Sequence, residues 1–172
     1  MRLEGKRIAY FVEDGLEDLE FWVPVMRLRE EGATVTIVGT GKPEYKGKQC
    51  LKAKSDVSAD QVSASDFDAV VIPGGWAPDK LRRSEAVKSI VRDAYNAGKI
   101  IGAICHAGWV PISAGIVNGH RATGSTAIKD DLENAGATWV DAPAFRDGNI
   151  VWGRVVEDIP DFCRELVDAL KR

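Results

Sequence analysis

A cysteine followed directly by a histidine, Cys105-His106, stands at the end of an apolar run in the segment GAICHAGW. Small residues lie two positions before and two positions after the cysteine, at Ala103 and Ala107. A nucleophile on a sharp turn between a strand and a helix needs this pattern, because the backbone passes too close for larger side chains. A helix start also favours an anion, so we expect this turn to lower the pKa of the thiol. The pattern predicts that Cys105 is a nucleophile; the alternative is a small buried core residue.

The other two cysteines have different surroundings. Cys163 lies on the apolar stripe of the last predicted helix and is expected in the core, whereas Cys50 lies in a lysine-rich hairpin and is expected to be a partly exposed thiol. The chain has no CxxC pair and only two histidines, so neither a disulfide framework nor a metal site is predicted. No glycine-rich phosphate loop follows the first strand, which argues against a nucleotide binder.

An acidic segment, VEDGLEDLE, follows the first predicted strand and holds five acids in nine residues. Such a run is usually a solvated face with favourable charges at a helix start. Glu17, however, lies just past the carboxyl end of a strand, on the edge of a parallel sheet that also presents Cys105. An ionised carboxylate there would raise the pKa of the thiol, whereas a protonated one would donate a hydrogen bond to the thiolate. We therefore expect Glu17 to act as a neutral acid.

The two histidines receive different predictions. His106 leaves the backbone in a different direction from the adjacent cysteine, so a catalytic role and a local orienting or capping role both stay open. His120 lies in the turn-like segment VNGHRA and is expected at the surface.

Strand-like and helix-like segments alternate along the chain. The predicted strands are Arg7–Val12, Thr34–Val38, Ala69–Ile72, Lys99–Ile104, Thr138–Val140 and Asn149–Trp152, the last two around a turn at 146–148. Helices are predicted between the first two strands, over Ser84–Gly98 and Ile128–Ala135, and from Asp158 to the end; residues 40–56 are typical of a hairpin. This order predicts an α/β protein with an open, mostly parallel sheet, whose strand ends carry Cys105 and Gly74-Gly75.

Composition limits the classes of partner. The chain has 172 residues, a net charge of -3, 45% hydrophobic residues and 28% charged residues. These values are typical of one globular domain, here 1–172, and make nucleic acid and an anionic membrane poor partners. The first apolar run is too short for a signal peptide or a membrane span, so we expect the protein to stay in the cytoplasm.

Several segments together resemble the ThiJ/PfpI family, in particular its PfpI-like intracellular protease branch. They are IAYFVEDGLEDLEF, VVIPGGWAPDKLR, GKIIGAICHAGWVPISAGIVNG and IKDDLENAGATWVD, and the likeness covers nearly the whole chain. The resemblance implies a flavodoxin-like three-layer α/β sandwich with a small β-hairpin excursion. It also implies a cysteine nucleophile, no cofactor, and dimers or larger homo-oligomers.

Site residues carry over by position. The resemblance identifies Cys105 with the family nucleophile, His106 with its adjacent histidine, Glu17 with the acid that hydrogen-bonds the cysteine, and Gly75 with an oxyanion donor. The N–H of His106 is the second expected donor. Asp79 stands where the branch has a glutamate that reaches the histidine of a neighbouring subunit. The resemblance therefore implies Asp79 as a candidate intersubunit acid, although its side chain is one methylene shorter than that of glutamate. Ser125 and Val156 replace a tyrosine and a proline, which implies a different pocket shape.

Three functions remain open. The first is a cofactor-free glyoxalase or deglycase, in which the thiolate attacks methylglyoxal or its adducts; the second is an oligomeric intracellular peptidase. We favour the small aldehyde, because a thiolate beside a neutral acid suits aldehyde addition without a complete Cys-His-acid triad. The third, of another class, is a redox-sensing or chaperone-like protein with little turnover.

Overall fold

The elements follow the alternation expected from the sequence, in a computed structural model that describes residues 1–171. The strands are β1 (Arg7–Phe11), β2 (Thr34–Gly39), β3 (Glu44–Lys46), β4 (Lys52–Lys54), β5 (Val57–Ser58), β6 (Ala69–Ile72), β7 (Ile100–Ile104), β8 (Arg121–Ala122), β9 (Thr138–Trp139), β10 (Ala144–Asp147) and β11 (Ile150–Gly153). The α-helices are α1 (Asp18–Glu30), α2 (Ala77–Leu81), α3 (Glu85–Asn96), α4 (Trp109–Ala114), α5 (Lys129–Asn134) and α6 (Ile159–Leu170), joined in places by short 3-10 turns.

The central sheet has the strand order β10-β11-β7-β6-β1-β2-β5. All neighbours pair in parallel except β10, which runs antiparallel to β11 at one edge. Taken in chain order, the five main parallel strands lie 2-1-3-4-5, which is the flavodoxin-like arrangement. Helices α1 and α6 pack together as one outer layer, and α2, α3 and α4 form the other. The predicted fold class is confirmed, and β3 with β4 forms the small hairpin.

The core lies between the sheet and these two helical layers. Strands β6 and β7 are buried at every residue, because helices cover both faces of a parallel sheet. Helix α3 begins after Ser84, whose side chain accepts a hydrogen bond from the N–H of Val87 at 3.3 Å, as the sequence predicts for an N-cap. Cys163 is buried on α6, as predicted. Within residues 1–171, no helix combines the length and apolar character needed to cross a membrane.

One strand pairing differs from the prediction. The turn at 146–148 joins β10 to β11, and not the strand at 138–140 to the strand at 149–152. Strand β9 pairs instead with β8 in a separate two-stranded sheet. Because β10 is an edge strand whose sequence, AFRD, is only partly buried, it lacks the apolar run by which the inner strands are found.

The loops that follow β1 and β6 meet where the strand order reverses. Leu16 pairs with Gly75 as an isolated bridge, the N–H of Trp76 donates to the carbonyl of Gly15 at 2.8 Å, and the N–H of Glu17 donates to Gly74 at 3.2 Å. Ligands of such sheets bind outside the carboxyl ends of the strands at this point. Strand β7, next to β6, delivers Cys105 to the same edge.

Candidate active site

Cys105 lies on a strained turn between β7 and a 3-10 turn, Cys105–Gly108, that leads into α4. Its φ is 61°, in the left-handed region that is costly for a residue with a side chain. The N–H of Ser125 donates to the Cys105 carbonyl at 3.2 Å and fixes this conformation. A Cβ at Gly124 would lie 2.6 Å from that carbonyl, so only glycine allows this approach. The structure thus gives Cys105 the sharp turn predicted for a nucleophile.

The acid beside the thiol is Glu20, in the first turn of α1. Its side chain is buried, and its carboxyl faces the Cys105 thiol and the backbone N–H of Gly74. Neither carboxyl oxygen makes a hydrogen bond of normal geometry with these groups. A Cβ at Gly74 would lie 2.8 Å from the Cβ of Cys105 and would overlap the Glu20 carboxyl, so Gly74 leaves room for the pair.

The prediction that Glu17 contacts the thiol is corrected by this geometry. Glu17 precedes α1 in an extended conformation, and its carboxylate lies 3.2 Å from the Nζ of Lys48 at the mouth of the cleft. One turn further on, Glu20 points inward because it shares a stripe with Pro24 and Leu28, which are both buried. The i, i+4, i+8 spacing of this stripe is the sequence signal that could have identified Glu20.

Burial controls the protonation of the Cys105 and Glu20 pair. It raises the pKa of Glu20 to about 8, so this carboxyl is a neutral acid at pH 7, the state predicted for Glu17. The pKa of Cys105 is raised to about 12, mainly by burial and to a smaller extent by the charge of Glu20. The expected lowering of the thiol pKa is therefore wrong. The helix after the cysteine has only six residues and a correspondingly weak dipole, which burial outweighs.

Two backbone N–H groups, those of His106 and Gly75, face the sulfur of Cys105 and favour the thiolate. Gly75 has a φ of +73°, and a Cβ there would overlap the backbone of the loop after β1, so only glycine presents its N–H in this way. These are the two donors predicted to bind an oxyanion, and both face the Cys105 sulfur.

The His106 ring lies against the thiol. Its Nδ1 is 3.3 Å from the sulfur of Cys105, and the ring stacks edge-to-face on Trp109. Burial, and the charge of Lys48 to a lesser degree, lower the pKa of His106, so the ring is neutral at pH 7. No carboxylate oxygen among residues 1–171 lies within 4.0 Å of a nitrogen of this ring. Asp79 is exposed on α2 and forms an ion pair with Arg83, so this chain does not bring it to its own His106.

A cleft of about 230 Å³ opens above the thiol. Its lining residues are Glu17, Glu20, Lys48, Gly75, Trp76, Cys105, His106, Val155, Val156 and Glu157. Val156, noted in the sequence for its effect on pocket shape, is among them, whereas Ser125 is not. Within residues 1–171, no three His, Cys, Asp or Glu side chains are grouped as metal ligands. The cleft brings together a thiol, a neutral carboxylic acid, a neutral imidazole and two backbone N–H donors.

His120, expected at the surface, is mostly buried and belongs to a different cluster. Its Nε2 lies 2.6 Å from the hydroxyl of Tyr95, and its Nδ1 lies 2.7 Å from a carboxylate oxygen of Asp147. Tyr95 precedes β7 and Asp147 precedes β11, so this cluster lies at the amino ends of the strands, opposite the cleft.

Comparison with known proteins gives similar sequences over nearly the whole chain. "Deglycase PH1704" of Pyrococcus horikoshii is 39% identical over 165 residues, covering 96% of this chain and 99% of that protein. "Putative cysteine protease YraA" of Bacillus subtilis is 39% identical over 169 residues, covering 97% and 99%. These relatives support a cysteine hydrolase-type enzyme.

A solved structure gives the same result for the fold. A two-domain protein of Anabaena variabilis, with DJ-1/ThiJ/PfpI-like and ferritin-like domains, matches with a TM-score of 0.93 and 38% identity. The match covers 96% of this chain and 48% of that one. Since the family model described as DJ-1/PfpI also matches residues 6–169, this chain belongs to the DJ-1/PfpI family.

Proposed function

We propose that the protein is a glyoxalase or deglycase that converts methylglyoxal, or the adducts it forms with amines and thiols, to lactate. The observation that carries the proposal is the convergence of Glu20 and the N–H groups of Gly75 and His106 on the Cys105 sulfur. Each of these groups has a task in the addition of a thiol to an aldehyde. The relatives named as deglycases add support.

The first step forms a bond between the Cys105 sulfur and the aldehyde carbon. An amine adduct first loses its amine, which takes a proton as the C–N bond breaks and the aldehyde is restored. The aldehyde oxygen gains negative charge as sulfur adds, and the N–H groups of Gly75 and His106 stabilise it. Glu20, protonated at pH 7, gives its proton to this oxygen to form the hemithioacetal hydroxyl and takes the proton that the Cys105 thiol loses.

The second and third steps need no external oxidant. Neutral His106 removes the proton from the former aldehyde carbon and returns it to the neighbouring ketone carbon, while Glu20 moves the hydroxyl proton of the hemithioacetal to the ketone oxygen. One carbon is thereby oxidised as the other is reduced. The product is a lactoyl thioester on Cys105. Water attacks its carbonyl, the C–S bond breaks, and lactate leaves as the thiol regains its proton.

The size of the cleft favours a small carbonyl compound. Its volume of about 230 Å³ is below the roughly 300–1,000 Å³ of pockets that enclose drug-sized molecules. A three-carbon unit fits on the thiol within the cleft itself, whereas several residues of a peptide would extend beyond it. This cleft therefore suits methylglyoxal better than an extended peptide.

The decisive experiment measures lactate formed from methylglyoxal by the purified protein, beside cleavage of a fluorogenic peptide. We expect lactate formation to fall by at least about 10³-fold in Cys105→Ala and to remain within twofold of wild type in Cys50→Ser. Cys50 is the matched control because it is an exposed thiol at a second turn with positive φ. Lactate formation that survives Cys105→Ala would overturn the proposal.

A second candidate, a peptidase, is favoured by the 3.3 Å contact between the Cys105 sulfur and His106 Nδ1. It requires an acid for His106 from another copy of the chain, and Asp79 is the candidate. The redox alternative receives less support, because a thiol whose pKa is raised is a poor target for peroxide.

Self-association is part of the proposal. Leu19, Val23 and Met26 of α1 are 50%, 41% and 61% exposed and lie on one side of the helix, whereas Phe21 and Val25 face the core. An apolar face of this kind suits a symmetric contact with a second copy. We expect a dimer or larger assembly by light scattering, and a shift to monomer in Val23→Asp/Met26→Asp. A monomeric wild type would contradict it.

A further inference from the structure

A second cavity, more open than the first, adjoins the catalytic cleft. It has a volume of about 480 Å³ and shares Lys48 and Trp76 with the cleft. Asp14, Lys46 and Lys80 are its other charged lining residues. We call this cavity the lysine groove. Because the two cavities share a wall, a molecule whose carbonyl lies at Cys105 can extend past Trp76 into the groove.

The groove carries an excess of positive charge in a chain whose net charge is negative. Its lining holds three lysines and one aspartate, against a net charge of -3 for the whole chain. Lys48 is paired with Glu17, and Asp14 is paired with Lys42, which lies outside the lining. Among residues 1–171, neither Lys46 nor Lys80 has a carboxylate within 4.0 Å of its ammonium group. Two ammonium groups are therefore left for a ligand.

Hydrogen bonds to the dipeptide Asp14-Gly15 hold the three segments that line the groove in place. The carboxylate of Asp14 accepts a hydrogen bond from the N–H of Lys46 at 3.0 Å, and the N–H of Gly15 donates to the carbonyl of Lys46 at 2.8 Å. The N–H of Trp76 donates to the carbonyl of Gly15 at 2.8 Å, and the Nζ of Lys80 lies 3.4 Å from the carbonyl of Asp14. The hairpin, the first loop and α2 thus meet in a fixed arrangement.

Gly15 makes this arrangement possible. It has a φ of +81°, and a Cβ there would lie 3.1 Å from the Cβ of Trp76. Trp76 is 64% exposed, which is uncommon because tryptophan side chains are on average highly buried. The Nζ of Lys48 lies 5.2 Å from the centre of the Trp76 ring and makes a cation–π contact with one face of it. The exposed part of the ring can pack against the stem of a ligand.

We propose that the lysine groove binds the anionic end, a carboxylate or a phosphate, of the amine or thiol to which the reactive carbonyl is attached. This inference rests on the proposed function and specifies its substrate class. Lys46 and Lys80 supply the opposite charge, and Trp76 packs against the stem between the anion and the carbonyl carbon. Charge at this position selects anionic adducts over neutral ones of the same size.

The test uses matched pairs of methylglyoxal hemithioacetals that differ in one anionic group. One pair is made from N-acetylcysteine and its amide, and the other from 4′-phosphopantetheine and pantetheine. We expect wild type to have a kcat/KM roughly 3- to 10-fold higher for the anionic member, as for contacts between exposed charges. This preference should weaken as salt is added.

Lys46→Gln/Lys80→Gln removes the two ammonium groups and should abolish the preference, with rates on neutral adducts within twofold of wild type. Lys54→Gln is the matched control, because Lys54 lies on the same hairpin, carries the same charge and is outside the groove lining. It should keep the preference. If only one pair shows the preference, the proposal is supported and the anion of that pair, the carboxylate or the phosphate, is identified as the group that the groove binds.

Two results would overturn the inference. One is equal kcat/KM for both members of each pair in wild type, and the other is a preference that persists in the double variant. If no adduct yields lactate, the proposed function fails. The groove is then tested separately, by measuring whether a ligand protects Cys105 from alkylation by iodoacetamide. Slower alkylation with S-methyl-4′-phosphopantetheine but not with S-methylpantetheine, neither of which consumes iodoacetamide, would support the groove alone, and equal rates would overturn it.

Discussion

The two histidines of the protein lie in polar clusters of opposite character. His120 has a partner on each ring nitrogen, the Tyr95 hydroxyl at 2.6 Å and the Asp147 carboxylate at 2.7 Å, in an arrangement that resembles a catalytic triad. The Nδ1 of His106 lies 3.3 Å from the Cys105 sulfur, and among residues 1–171 no carboxylate oxygen lies within 4.0 Å of either His106 ring nitrogen. The cluster with the better hydrogen bonds lies at the amino ends of the strands, opposite the cleft.

On the proposed function, this difference separates a structural cluster, around His120, from a reactive cluster, around Cys105. Each ring nitrogen of His120 is satisfied, and Asn149 adds two hydrogen bonds from its side chain to the carbonyls of Tyr95 and Lys99. Such a connected network rigidifies a structure. Around Cys105, by contrast, the backbone is strained and both Glu20 oxygens are buried without a hydrogen bond of normal geometry. Unsatisfied polar groups under an open cleft are available to a substrate.

The largest expected effect removes the neutral acid from the reactive cluster. Glu20→Gln keeps the shape of the side chain but cannot supply a proton to the hemithioacetal oxygen, so lactate formation should fall about 100-fold or more. Glu17→Gln, which breaks only the ion pair with Lys48, should lower it less than about fivefold. Steady-state rates of the two variants measure the difference. Equal losses would contradict the assignment of Glu20 as the acid.

The same buried acid should reduce stability as pH rises. The unfolded chain releases the Glu20 proton near its ordinary pKa of 4.5, whereas the folded protein keeps this proton up to about pH 8. The free energy of unfolding of wild type should therefore fall between these values, and Glu20→Gln should be more stable at pH 8 by roughly 2–4 kcal/mol. Urea denaturation at pH 4.5 and pH 8 tests this. An advantage of the same size at both values would exclude ionisation as its cause.

Alkylation of the thiol should report the coupled ionisation of the reactive cluster. Because Cys105 and Glu20 together lose a first proton near pH 8, the iodoacetamide rate should rise about tenfold from pH 7 to pH 9 and then level off. In Glu20→Gln the inflection near pH 8 should disappear. A wild-type rate that keeps rising in proportion to hydroxide through pH 10 would show that the thiol ionises independently of Glu20.

The satisfied cluster should respond in stability and not in rate. Tyr95→Phe removes one hydroxyl and leaves Nε2 of His120 without its partner, so the free energy of unfolding should fall by about 1 kcal/mol, with turnover within twofold of wild type. His106→Ala should do the reverse, with a large loss of turnover and little loss of stability. Urea denaturation and lactate assays on both variants give this comparison. Lost turnover in Tyr95→Phe would indicate coupling between the clusters.

The sequence predicts the parts of this molecule that depend on local pattern. Inner strands such as β6 and helix caps such as Ser84 are found because apolar periodicity and capping chemistry act within a few residues. The turn at Cys105 is predicted for the same reason, since small residues around it allow the backbone to pass closely.

The errors come from contacts between distant segments. Glu17 is chosen over Glu20 because both are acids near a strand end, and only the packing of α1 decides which one faces the thiol. The pKa of Cys105 depends on burial by the loops after β1 and β6, which a dipole argument from one helix does not include. Strand β10 pairs at an edge where hydrophobic periodicity is weak.

The smallest expected effect concerns the missing partner of His106. Asp79→Asn removes an exposed carboxylate that is paired with Arg83, so the stability should change by less than about 1 kcal/mol. If aldehyde chemistry needs only the groups within one chain, lactate formation in this variant should stay within twofold of wild type. A loss of more than about tenfold in peptide cleavage would instead show that Asp79 completes a triad across an interface. Such a loss would make His106 resemble His120 in the assembled protein, and the contrast between the two histidines would hold only within a single chain.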